Sequence, residues 1–235
     1  MDVCVARFSA WAPGFTGVGD WRAWAEGRRV IPRSAESPAL EYTDPLFRRR
    51  LSQISRMAIQ VIHDVMPVGD DTRLVFASFR GELARQFSIN RMLAEDGDIK
   101  PAAFSLSVFN TPPALAAIAL NLGAGYTAVY PGNGSFRTAL TAALAPVVSG
   151  AARETLLVYA DESCPEGYAA FAGTRAGPEG LPAAYPQALA PLAFAALLVR
   201  GGSGIPVIAP DGTADSPDAF LKRLVLSRYS PCPGC

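Results

Sequence analysis

The chain predicts an α/β fold, a sheet with helices on both faces, from three observations. Short apolar runs alternate with amphipathic or alanine-rich segments from Val3 to Arg200. Half of the 235 residues are apolar, enough to fill a sizeable core. Between Gly125 and Leu140 an apolar strand enters a Gly-rich bend and an alanine-rich helix follows.

Val3 to Ala10 reads as the first strand, ended by Pro13-Gly14. Trp21 and Trp24, three apart, share one face of a short helix, where packing is their first explanation. Asp44 precedes Pro45 and a long amphipathic pattern, Leu51, Ile54, Met57, Ala58, Val61, Ile62 and Val65, closed by Pro67 and Gly69; this predicts one helix. Arg48, Arg49, Arg50 and Arg56 take its other positions as a solvated face. His63, the one histidine, lies near its end in a structural role.

Arg73 to Ser78 is a short buried strand, and Phe79 to Leu83 turns out of it into a helix reaching about Ala94. Phe104 to Asn110 reads as extended, Ala114 to Leu122 as an apolar helix started by Pro112 and Pro113, and residues 135–148 as the helix after the bend. Strands Thr155 to Ala160 and Leu192 to Arg200 follow, separated by a Gly-, Pro- and Ala-rich stretch. Residues 1–200 form the main domain. Residues 201–235 form a C-terminal extension: a loop over Gly201 to Ser216, a short helix over Pro217 to Ser227 and an irregular tail.

Charge is balanced, 21 basic against 21 acidic residues, which argues against a nucleic-acid partner. The longest apolar run, Ala188 to Val199, is broken by Pro191 and too short to span a bilayer. No secretory signal is visible, so a cytoplasmic location is expected. Cys4, Cys164, Cys232 and Cys235 are then free thiols; the terminal Cys-x-x-Cys lacks two further zinc ligands, and no cofactor or metal is expected.

The strand-bend-helix layout is that of a nucleophile elbow, which presents one side chain at a strained apex above a helix N-terminus. Here the apex is Asn133, a neutral amide. Ser135 is the nearest hydroxyl; a hydrolase or transferase built on it needs a base, and His63 is the only imidazole. A homodimeric binding module is a further reading.

Several segments taken in order carry a family resemblance: Trp11-Ala12-Pro13-Gly14 with Asp20 to Trp24, Ala77 to Leu83, Phe104 to Asn110, the elbow, and Leu156 to Glu162. The chain resembles the N-terminal half of a β-ketoacyl synthase, and among these the short ketosynthase-like chain length factors of aryl polyene pathways. The resemblance implies half of a thiolase-like fold with a mixed sheet. It places Asn133 where condensing enzymes carry the acylated Cys, and it leaves the partner bases of the family's second half outside this chain, which ends after one half. It implies a non-catalytic subunit paired with an active ketosynthase, meeting carrier protein indirectly, in fatty-acid or polyketide-type biosynthesis. It further implies an acyl tunnel at the subunit interface. By position, Phe79, Arg80 and Leu83 match the loop after the second strand and Phe104, Ser107 and Phe109 the extended segment that crosses the interface; Phe104 and Phe109 are the expected tunnel residues, and Tyr126, Val129 and Tyr130 lie on the strand that pairs across the interface.

Overall fold

The computed structural model describes residues 3–129, 136–165, 190–201, 204–207 and 216–229. In chain order these form β1 (Val3–Trp11), α1 (Val18–Ala25), α2 (Pro45–Arg48), α3 (Gln53–Val65), β2 (Arg73–Ala77), α4 (Leu83–Asp96), α5 (Pro101–Ser105) and α6 (Thr111–Ala119). β3 (Tyr126–Val129), α7 (Arg137–Ser149), β4 (Glu154–Asp161), β5 (Leu192–Arg200), β6 (Ile205–Pro206) and α8 (Pro217–Tyr229) follow.

One mixed sheet holds the strands in the order β3-β2-β4-β5-β1-β6. β3, β2 and β4 run parallel, while β5 is antiparallel to both β4 and β1. β4 from Leu156 to Ala160 and β5 from Leu192 to Val199 are apolar without interruption because the middle of each strand is buried on both faces. Strand periodicity sends Leu156, Val158 and Ala160 to one face, against α3 and α6. It sends Leu157 and Tyr159 to the other, against α7 and α8. The helices therefore lie on both faces, as the alternation of segments predicts.

The long helix expected from Pro45 onward is two helices. Asp44 Oδ1 accepts from the Leu46 and Phe47 N–H groups, both at 2.9 Å, and caps α2. Ser52 Oγ then accepts from Ser55 N at 3.2 Å and starts α3. The apolar pattern runs through both because α2 and α3 cover one surface. The arginine face is also less solvated than its spacing suggests: Arg48 donates to the carbonyls of Ala39 and Leu40, and Arg56 to those of Pro38 and Arg48.

The segment 104–110 is not extended. Phe104 and Ser105 end α5, which Pro101 opens, and turns follow in which Ser107 N donates to Phe104 O and Thr111 N to Val108 O. α6 starts at Thr111, with both prolines inside its first turn, where a missing N–H costs nothing. The loop expected over Gly201 to Ser216 contains β6, which pairs with Cys4 and Val5. A side chain at Gly204 would lie 2.5 Å from Val5 O, so only glycine allows this approach. From the same C-terminal region, α8 places Phe220, Leu221, Leu224 and Val225 in the core under β4 and β5.

Candidate functional site

The parallel strands end together, and their C-terminal ends bring the functional segments into one place. Ala77 of β2 pairs with Val129 of β3 on one side and Tyr159 of β4 on the other. The loop Ser78 to Glu82 leaves β2 here, β4 ends in Asp161-Glu162, and the elbow follows Val129 in the chain. Asn133, Tyr130 and Ser135 lie outside the described residues; Val129 and Phe136 flank them.

Asp161 organises this end. It is fully buried, and its Oδ1 accepts from Ser78 Oγ at 2.7 Å and from Arg80 N at 3.0 Å. Its Oδ2 accepts from Phe79 N at 3.2 Å and from the Tyr159 hydroxyl. Arg80, itself buried, brings Nε to 3.9 Å from Oδ1. A buried carboxylate is tolerable only with such donors and a counter-charge. Burial first, then the neighbouring Asp161 charge and its hydrogen bond, push the Tyr159 phenol well above its usual range, so Tyr159 is a fixed donor.

Ser78 Oγ also accepts from Gly81 N at 2.7 Å and folds the loop back. Gly81 has φ +60°, and a Cβ there would stand 2.8 Å from Phe109 Cδ2. Phe109 in turn meets Phe76 edge-on at 6.3 Å. Phe79 packs edge-on to Tyr159 at 5.8 Å, and Tyr159 contacts Phe136 at 6.0 Å. The loop and the first residue of the elbow's downstream stem therefore share one aromatic cluster.

The expected site residues divide into three groups. Phe79, Arg80, Leu83 and Ser107 are buried, and Phe109 is half-buried against Gly81. The Ser107 carbonyl accepts from Gln86 Nε2 at 3.1 Å, which ties the 104–110 segment to α4. Tyr126 and Val129 are half-buried on β3, the outermost strand of the sheet, and Tyr126 Oη accepts from Asn110 Nδ2 at 3.0 Å. Phe104 stands apart on α5, 58% exposed. Ser78, Glu82, Tyr159, Asp161 and Glu162 complete the end of the sheet but were not expected there. Their one sequence signal is the pair Asp161-Glu162 closing an otherwise apolar strand.

His63 is elsewhere. It lies at the C-terminal end of α3, stacked on Tyr42 at 3.8 Å, with Nδ1 3.6 Å from Asp64 Oδ1. The chain just beyond α3 meets the start of β4, where Gly69 N donates to Glu154 Oε1 at 2.8 Å. The imidazole stands at the opposite end of α3 from Ser52 and Ser55, which bond Glu82 at the C-terminal end of the sheet. Among the described residues, no three His, Cys, Asp or Glu side chains are grouped to hold a metal, and no helix is long and apolar enough to cross a membrane.

The family described as "Beta-ketoacyl synthase, N-terminal domain" matches residues 21–214. No curated protein matches the sequence. Among solved structures the chain is similar to one from the complex of a ketosynthase (ApeO) with its chain length factor (ApeC) from Xenorhabdus doucetiae. The identity is 25% and the TM-score 0.67, over 86% of this chain and 81% of that one, so the two are of similar length. It also matches the ishigamide ketosynthase/chain length factor at 16% identity and TM-score 0.65, over 88% of this chain and 65% of that one. A third match, at 12% identity and TM-score 0.62, is to AntDE:AntF, a type II PKS acyl-carrier protein in complex with its ketosynthase bound to the hexaketide; it covers 85% of this chain and 62% of that one. The last two matches speak for the fold alone, and this chain spans about two thirds of each. With a mixed sheet of ketosynthase type and a family match across most of its length, the chain belongs to the β-ketoacyl synthase N-terminal domain family.

Proposed function

We propose that this chain is a non-catalytic ketosynthase-like subunit, a chain length factor. It pairs with an active β-ketoacyl carrier-protein synthase in the cytoplasm and lines the tunnel into which an acyl or aryl polyene chain grows. The observation that carries this reading is Asn133 in the elbow, at the position that the family resemblance assigns to the acylated Cys. An amide has no ionisable nucleophile, so no acyl-enzyme forms there.

The open side of β3 supports a partner at this edge. Among the described residues β3 pairs only with β2, leaving the outer N–H and C=O groups of Tyr126 to Val129 available to another strand. Exposed apolar side chains lie on the neighbouring helical segments: Leu93 on α4, Phe104 on α5, Val108 beyond it and Ile118 on α6. The similarity to a chain from a ketosynthase complexed with its chain length factor points the same way. Phe79 and Phe109 belong to the tunnel wall, with Arg80, Leu83 and Ser107 holding the loop and the segment that carry them. Carrier protein docks on the catalytic partner, so its contact with this chain is indirect.

Co-expression with a ketosynthase encoded beside it, followed by mass measurement on size-exclusion chromatography with light scattering, tests the pairing. A stable hetero-complex, with aggregated or weakly soluble protein when the chain is expressed alone, is the expected result. A clean homodimer that ignores the ketosynthase would overturn it in favour of a carrier- or acyl-binding module. In the complex, Asn133→Ala leaves turnover nearly unchanged, and Phe109→Ala lengthens or broadens the products. Loss of turnover in Asn133→Ala with the complex intact contradicts an inert elbow.

A further inference from the structure

The loop that leaves β2 is pinned along its whole length. Ser78 Oγ donates to Asp161 Oδ1 at 2.7 Å and accepts from Arg80 N at 3.3 Å and Gly81 N at 2.7 Å. Asp161 accepts from Phe79 N at 3.2 Å and Arg80 N at 3.0 Å. The N–H groups of Phe79, Arg80 and Gly81 therefore converge on one hydroxyl and one carboxylate. At the far end of the loop, Ala84 N donates to Glu162 Oε1 at 2.8 Å. A buried polar network satisfied in this way makes the loop a rigid support.

What it supports is Phe109. Gly81 is buried at φ +60°, and a Cβ there would lie 2.8 Å from Phe109 Cδ2, 3.4 Å from Cε2 and 3.7 Å from the Phe109 Cα. The ring thus rests on the glycine, with Phe76 edge-on at 6.3 Å. Phe109 itself is half-buried, so the exposed part of its ring faces away from the buried loop. The positive φ alone would also admit Asn or Asp. The approach of the ring admits only glycine.

We propose that Gly81 is a specificity-determining residue: its missing side chain sets the depth of the Phe109 ring, and with it the length at which a growing acyl chain is stopped. Ser78 and Asp161 are positioning residues that hold Gly81 under the ring. This role rests on the reading of the chain as a chain length factor, and deepens it from which residue lines the tunnel to what fixes that residue's place. A methyl at position 81 forces the ring from 2.8 Å out to at least the 3.4 Å of ordinary contact, because the loop behind it is pinned by Ser78 and Asp161. The ring moves outward, into the space that the acyl chain fills. An apolar pocket distinguishes one methylene by roughly tenfold or more, so a small displacement of its wall shows in the products.

The test is product length in the complex with the ketosynthase, read by mass spectrometry, with turnover and complex mass measured on the same samples. In Gly81→Ala the longest wild-type product falls about tenfold against the next shorter one, while Phe109→Ala lengthens the products. The double variant follows Phe109→Ala, because the methyl then has no ring to push. Ser78→Ala broadens the distribution in both directions, since the ring remains and its support is loosened. A glycine needed only for its backbone would lower stability and leave the distribution unchanged, and that result overturns the proposal. A double variant with products as short as those of Gly81→Ala overturns it too. If Gly81→Ala does not fold, Ser78→Ala decides, and a wild-type distribution there overturns the role of the loop. Phe109→Ala separates the two levels. If it lengthens the products while Gly81→Ala does not shorten them, only the role of Gly81 falls; if it changes nothing, or no complex forms, the chain length factor reading falls and takes this role with it.

Discussion

The two ends of α3 meet similar side chains and treat them in opposite ways: one lies on the surface, the other where β2 and β4 finish. Beside its C-terminal end, Ser9, Tyr42, His63 and Asp64 gather on the surface; His63 is 44% and Asp64 39% exposed by side chain. Where the strands finish, Ser78, Arg80, Glu82, Tyr159, Asp161 and Glu162 are buried, with Arg80 at 4% and Asp161 at 1%. The first group contains the residue types of a hydrolytic triad in the wrong order. Ser9 Oγ donates to Asp64 Oδ2 at 3.0 Å and His63 also faces Asp64, so the imidazole is not placed to take the serine proton. Residue types alone do not mark a site; burial and the direction of the donors decide which end is built to hold charge.

Breaking the buried end has the larger expected effect. Asp161→Ala removes the acceptor of Ser78, Phe79, Arg80 and Tyr159 together with the carboxylate that faces Arg80, a loss of about 3–5 kcal/mol. Urea unfolding measures it. Asp64→Ala at the exposed end costs within about 1 kcal/mol, and equal losses from the two variants would abolish the contrast. Gly81→Ala comes next. Its φ of +60° and the 2.8 Å approach to Phe109 Cδ2 predict a loss of about 1–3 kcal/mol by thermal unfolding. Combining it with Phe109→Ala removes the steric part and leaves the backbone part, so the double variant loses less than the sum. Full additivity would mean that the loop is not held against Phe109.

What the sequence revealed of this contrast follows from the range of each signal. Periodicity is local, so the strands Glu154–Asp161 and Leu192–Arg200 and the apolar stripe of α3 were legible, the two strands to within a residue at each end. The break between α2 and α3 was hidden because Phe47 and Leu51 continue the apolar pattern while two side-chain caps set the ends. Phe104 to Asn110 imitates a strand by alternating Phe, Ser, Leu, Ser, Val and Phe, yet Pro101 starts a helix and Ser107 turns back on Phe104. The buried acids were illegible for another reason. Glu82 and Glu162 meet only because β2 and β4 are adjacent and parallel, and that pairing has no local signature. The elbow is the reverse case: its sequence reads plainly, while Asn133 lies outside the described residues and only Phe79, Tyr159 and Phe136 mark the ground beside it.

The smallest expected effect is the sharpest test of which end matters. His63→Ala gives up a stacked contact with Tyr42, at 3.8 Å and 13° between planes, and a 3.6 Å approach to Asp64. Stacking at an exposed site and a solvated polar contact are each worth no more than about 1 kcal/mol, so the thermal midpoint barely moves. Tyr42 does not depend on the imidazole for its state, because burial and then the Asp64 charge hold its phenol protonated. Activity of a complex with a ketosynthase is likewise unchanged, since His63 stands at the surface end of α3, whose other end meets Glu82. Loss of any hydrolytic or transfer activity in His63→Ala, with stability intact, would return this histidine to the chemistry. It would revive a catalyst built on Ser135 and make the surface cluster, not the buried one, the end that acts.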